Sequence, residues 1–187
     1  MKKWKKVLCA AMAAAMALSM TACSKGNGNQ NLYFYDKTAD DVSAWKPMET
    51  PSEEGGGSGS VTKGDKAAVI QAAFDGWGGI QSEKITLDLT KEPVLMIQVK
   101  ENADGFKWGA KFVPSDPVIS DHEWGFYLIE DTNFKYNNYA AVDLKAKLGQ
   151  DFIDAYGDKV EGVLWIYAAG SPDATVEISS VKMFNQK

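Results

Sequence analysis

The stretch Ile85-Thr86-Leu87-Asp88-Leu89-Thr90-Lys91-Glu92-Pro93-Val94-Leu95-Met96-Ile97-Gln98-Val99 sets two kinds of strand on either side of one breaker. Ile85, Leu87 and Leu89 alternate with Thr86, Asp88 and Thr90. Successive side chains of a strand point to opposite faces, so this is a strand with one wet face. Lys91-Glu92-Pro93 interrupts it. Val94 to Val99 is then almost continuously apolar, which reads as a central strand buried on both faces.

The same grammar extends both ways from this stretch. Phe106, Trp108, Ala110 and Phe112 alternate with Lys107, Gly109 and Lys111. Trp124, Phe126 and Leu128 alternate with Gly125, Tyr127 and Ile129. Tyr139 to Leu148 alternates again, with Val142, Leu144, Ala146 and Leu148 on one side. Val163 to Ala168 is a second continuous apolar strand, and Thr175 to Phe184 is the last. Upstream, Asp40-Asp41-Val42-Ser43-Ala44-Trp45 reads as an early edge strand. Breakers separate the runs: Gly78-Gly79, Asn102 to Gly105, Pro114 to Pro117, Tyr136-Asn137-Asn138 and Gly170 to Asp173. Only Gly149 to Tyr156 looks helical. The expected fold is all-β, a β-sandwich or jelly roll with one short helix.

The N-terminus is of another kind. Lysines at 2, 3, 5 and 6 precede an apolar run from Val7 to Met20. That is a signal peptide's pattern, and it is shorter than the roughly 20 residues a membrane span requires. Met20-Thr21-Ala22-Cys23 then resembles the lipobox of bacterial lipoproteins, with Met20 where that pattern usually has Leu. The resemblance implies cleavage before Cys23 and acylation of that cysteine, at about 0.8 kcal/mol per buried methylene. Ordinary cleavage after Ala22 would instead leave Cys23 as a lone thiol. The expected organisation is a signal helix over 1–22, a flexible tether over 23–32, and one domain over 33–187. Within the domain, the Gly- and Ser-rich segment 51–60 reads as a mobile loop.

Cys9 leaves with the signal, so a mature chain starting at Cys23 has no disulfide and no cysteine metal site. Its sixteen lysines face twenty-five acids, a net charge of −9, and there is no arginine. Arginine makes the bidentate phosphate and guanine contacts, so nucleic acid is a poor partner. The single histidine, His122, reads as a solvated turn residue. No glycine-rich loop follows a strand, so nucleotide binding has no support. Glu123, Glu130, Asp131 and Asp88 are candidates for a glycosidase carboxylate pair, yet twenty-five acids make chance pairs inevitable. A structural Ca²⁺ would draw on the turn acids Asp40, Asp41, Asp104 and Asp173, and no spacing among them marks a site.

Aromatic residues carry the remaining signal. Sugar rings pack their C–H faces on indole and phenol rings, and their hydroxyls need polar partners. Parity assigns Trp108 to the core, and the continuous apolar run does the same for Trp165. Trp77, in the glycine-rich segment Asp75 to Gly79, reads as projecting from a turn. Trp124 and Tyr127, with the polar–aromatic segment Tyr136, Asn137, Asn138 and Tyr139, complete the candidate sugar-binding set.

Several segments together resemble the galactose-binding-like jelly-roll domains attached to bacterial glycoside hydrolases and surface lipoproteins. They are Ile85 to Val99, Trp108 to Phe112, Tyr127 to Thr132, Val142 to Leu144, Gly162 to Ile166 and Val176 to Phe184. The resemblance spans roughly 40–187 and would put Asp40, Asp41 and Trp45 in the first strand. It implies non-catalytic carbohydrate binding. With the lipobox-like segment, the expected protein is a monomer, lipid-anchored at the extracellular face of a bacterial membrane, with no cofactor beyond a possible structural Ca²⁺. A structural or protein-interaction lipoprotein with no sugar ligand stays open as the alternative.

Overall fold

The computed structural model describes residues 32–49, 57–73, 76–102, 106–118, 125–132 and 138–187. The signal segment, Cys23, Asp104, His122, Glu123, Trp124, Tyr136 and Asn137 lie outside them. From Tyr33 onward the described residues form two sheets packed as a sandwich. The strands are β1 (Tyr33–Thr38), β2 (Lys46–Pro47), β3 (Gly57–Ser58), β4 (Ser60–Lys63), β5 (Ala68–Gln71), β6 (Trp77–Gln81), β7 (Ile85–Asp88), β8 (Pro93–Asn102), β9 (Lys107–Pro114), β10 (Phe126–Thr132), β11 (Asn138–Asp143), β12 (Lys159–Ala169) and β13 (Thr175–Asn185). Two helices, α1 (Ala39–Ser43) and α2 (Leu144–Tyr156), join them.

Both sheets are built on one plan. In the first, ordered β11-β8-β13-β5-β4, the long strand β13 pairs with β8 along one edge. Its other edge is shared by β5 and β1 in tandem. In the second, ordered β10-β9-β12-β6-β2, β12 pairs with β9 along one edge and shares the other between β6 and β7. The chain crosses from the second sheet to the first at Gly59, between β3 and β4. A Cβ there would lie 2.5 Å from both the Gln71 carbonyl oxygen and the Gly79 nitrogen, so only glycine fits.

Alternation fills the space between the sheets. Leu95, Ile97 and Val99 of β8 and Val176, Ile178, Val181 and Met183 of β13 point inward from one side. Trp108, Ala110 and Phe112 of β9 and Leu164, Ile166 and Ala168 of β12 meet them from the other. This is the parity read for β9, and Trp108 is fully buried. Val94 and Met96, on the opposite parity of β8, are also buried, as a strand covered on both faces requires.

Two expectations are corrected. The segment from Asp40 to Ser43 belongs to helix α1, not to an edge strand, and the first strand is Tyr33–Thr38. Thr38 caps α1: its hydroxyl accepts from the Asp41 amide, and the Asp41 carboxylate accepts from the Thr38 amide at 2.8 Å. Val42 and Trp45 are nonetheless buried in the core. The expected strand from Tyr139 to Leu148 stops at Asp143, whose carboxylate caps α2 by accepting from the Ala146 amide at 3.0 Å. Leu144 and Leu148 are spaced four apart and satisfy a helical stripe as well as a strand face. So the described residues hold two α-helices rather than one, besides a 3-10 turn at Leu89–Lys91, and α2 is kinked at Gly149, where φ is 81°. Of the segment read as a loop over 51–60, residues 51–56 lie outside the described residues, and Gly57–Ser58 pair parallel to β6.

An aromatic cluster holds α2 to the sandwich. Phe152 lies edge-on to Phe126 at 4.8 Å and to Phe112 at 6.3 Å, and stacks on Tyr156 at 4.7 Å.

Candidate functional site

A sandwich covers one face of each sheet, so an unbroken apolar strand must leave apolar side chains on the outside. β12 does so. Leu164, Ile166 and Ala168 enter the core, and Val163, Trp165, Tyr167 and Ala169 form a second cluster on the outer face. Trp165 is therefore buried, as expected, but not between the sheets.

Strand pairing extends Trp165 into a row across five strands. Tyr127 of β10 faces Lys111 of β9, which faces Trp165, which faces Gln81 of β6, which faces Lys46 of β2. The next row is Gly109, Tyr167 and Gly79, and the one beyond is Lys107, Ala169 and Trp77. A Cβ at position 109 would strike the Tyr167 ring, so the glycine gives that ring its place. Trp77 stands edge-on to Tyr167 at 6.4 Å. Lys111 is nearly covered, and its Nζ lies over the Tyr127 ring.

A cleft of about 430 Å³ opens beside the Trp165 row, between β2, the β6–β7 turn and the end of β9. Its apolar lining includes Trp165, Val163, Val113 and Pro114, and polar groups come from Lys46, Glu49, Gln81 and the β6–β7 turn, among others. Gln81 is held in place, because its Oε1 accepts from the Glu49 amide at 2.7 Å. Ser82 accepts from the Leu164 amide at 2.9 Å and donates to the Glu83 carbonyl at 2.6 Å, which ties the turn to β12. Under the turn, burial pushes the Tyr35 phenol above its ordinary range, with the Glu83 carboxylate adding to it. The Trp165 Nε1 is buried without a hydrogen-bond partner, at a cost of about 1–3 kcal/mol. The same is true of Trp45 and Trp108, which lie in the inter-sheet core.

Three carboxylates, those of Glu49, Glu130 and Asp88, are shifted away from acid catalysis. A hydrogen bond and the charge of Lys46 hold the Glu49 carboxyl below its ordinary range. Lys147, 2.8 Å away, does the same to Glu130, and the Thr90 hydroxyl does so to Asp88 with help from Lys159. A general acid at neutral pH needs the opposite shift. Of the turn acids considered for calcium, Asp104 lies outside the described residues. Asp40 pairs with Lys63 at 2.8 Å, and Asp41 is engaged with Thr38. Among the described residues no three metal-ligating side chains come together.

The expected sugar-binding set is divided by the fold. Tyr127 is half-exposed and Trp77 partly exposed, both on the outer face of the second sheet. Trp77 opens β6 rather than projecting from a turn. Tyr139 is also half-exposed, but it pairs with Gln98 on the outer face of the first sheet, across the sandwich. Asn138 begins β11 beside it. Sequence reasoning missed Trp165, Tyr167, Lys111, Gln81 and Lys46 as a group. Trp165 and Tyr167, two apart and opposite in parity to Leu164 and Ile166, were the available signal.

No protein-family model matches this chain, and no curated protein matches it. Among solved structures it is similar to one described as a family 30 carbohydrate-binding module. The identity is 14%, the TM-score is 0.41, and the match covers 82% of this chain and all of that one. A likeness at that level carries no argument about what this chain binds.

Proposed function

We propose that this chain is a lipid-anchored, extracellular, non-catalytic carbohydrate-binding protein whose binding face is the outer side of the second sheet. One observation carries the reading: the row Tyr127, Lys111, Trp165, Gln81 and Lys46 runs beside a polar-rimmed cleft with an apolar floor. A sugar needs both chemistries at once, ring faces for its C–H surface and fixed donors and acceptors for its hydroxyls. Trp77 and Tyr127 supply accessible rings, and Gln81 with the lysine and glutamate rim supplies the polar partners. The depressed carboxylates support binding without hydrolysis. The lipobox-like segment ending at Cys23 supports attachment at the membrane surface, where a capture domain would meet polysaccharide.

A glycan array probed with the full chain in detergent tests the reading. It predicts binding to at least one class of poly- or oligosaccharide. Binding to none contradicts it and favours the protein-interaction alternative, for which the half-exposed Tyr139 on the opposite face is the natural starting point.

A further inference from the structure

The charges of the cleft beside the Trp165 row cancel. Among the described residues its lining holds two lysines, Lys46 and Lys84, and two glutamates, Glu49 and Glu83. Each of the four is in an ion pair. Lys46 pairs with Glu49 inside the lining. Glu83 pairs with Lys37 of β1 at 2.5 Å, and Lys84 with Glu161 of β12 at 3.7 Å. Lys37 and Glu161 add one charge of each sign, so the balance holds when they are included. A mature chain starting at Cys23 carries −9. Neutrality is therefore a property of this cleft and not of the molecule at large.

We infer that the cleft selects neutral glycans and rejects those bearing carboxylate or sulfate. The inference deepens the proposed carbohydrate function and rests on it. A neutral sugar offers hydroxyls that both donate and accept. Glu49 and Glu83 supply acceptors, Lys46 and Lys84 supply donors, and Val113 and Val163 give apolar surface for C–H groups. A uronate or sulfated residue brings an anion instead. It meets two carboxylates in the same lining, and the lysines that could receive it already face carboxylates of the protein. Drawing Lys46 or Lys84 onto an anion would take it from Glu49 or Glu161. Ion pairs this exposed are individually weak, so the selectivity comes from the balance of the whole lining. Like charges brought together at an interface suppress the wrong partner more than they help the right one.

Calorimetric titrations of the full chain in detergent test this, with an array-positive neutral oligosaccharide and its uronate counterpart of the same length. The uronate form should bind at least about tenfold more weakly. Raising NaCl from about 0.05 to about 0.5 M should change the affinity for the neutral form by less than about twofold, because salt screens only charged partners. Glu49→Gln, which leaves Lys46 without its carboxylate, should raise the ratio of uronate to neutral affinity several-fold. A purely structural role for Glu49 would weaken both forms alike and leave that ratio unchanged, which overturns the inference. Equal or tighter binding of the uronate form, or an array whose positives are all acidic glycans, overturns it too and leaves the carbohydrate reading standing. Binding to no glycan at all contradicts the carbohydrate reading itself, and the inference falls with it.

Discussion

Lys111 carries its Nζ 4.1 Å from the centre of the Tyr127 ring, on the outer face of the second sheet. The lysine stem is covered and the ring is half-exposed, so the cation fixes one ring face and leaves the other accessible. A contact of this kind contributes about 0.5–1 kcal/mol at an exposed site. Tyr127→Ala should therefore leave Tm within a few degrees of the parent while reducing sugar affinity about tenfold, or about 1.4 kcal/mol. Thermal melts and affinity gels on the same samples check both halves.

Gly79 should not tolerate a side chain. A Cβ there would strike the Ile166 carbonyl oxygen and lie 2.5 Å from the Tyr167 Cα, and neither backbone atom can turn aside. The Gly79 carbonyl also accepts from Met48 and Gly59 amides, so displacement would loosen β2 and the crossing strand together. Gly79→Ala is expected to cost about 3 kcal/mol, at the upper end of overpacking penalties. A urea titration measures it.

Phe152 should be among the costliest single truncations. It is almost fully buried and touches rings from β9, β10 and α2. Phe152→Ala is expected to lose about 3–5 kcal/mol. Asp143→Ala, which removes only the cap of α2, should lose about 1 kcal/mol. The ratio of the two, from denaturant midpoints, separates packing from capping.

How much of this was readable beforehand follows from what each residue interacts with. β8, β9, β12 and β13 were legible because their partners lie on fixed parities across the sandwich, and Trp108 and Phe112 showed that pattern directly. α1 was misread because its signal is a polar exchange between Thr38 and Asp41, which hydrophobic alternation does not register. The end of β11 was misread because Leu144 and Leu148 fit both periods, and Asp143 alone decided between them. The candidate site was only partly legible. Tyr127 and Trp77 could be named, but their association with Lys111, Gln81 and Lys46 depends on registers among strands far apart in the chain. The same registers put Tyr139 on the other side.

Acid should loosen the first turn of α1. The Thr38 hydroxyl and amide hold the Asp41 carboxyl below its ordinary range. A folded-state pKa below the unfolded value contributes stability above the unfolded pKa, near about 4, and that contribution fades as pH falls through the lower folded value. The parent should therefore lose Tm below about pH 4 more steeply than Asp41→Asn does, a comparison that melts from pH 2 to 7 can make.

The most direct test of the binding face is a parallel titration of the parent, Trp77→Ala, Tyr127→Ala and Tyr139→Ala with one array-positive oligosaccharide, each variant first shown to melt cooperatively. The account predicts weakened binding for Trp77→Ala and Tyr127→Ala, on the second sheet, and parental affinity for Tyr139→Ala, on the first. Loss of binding in Tyr139→Ala with parental affinity in the other two would contradict it.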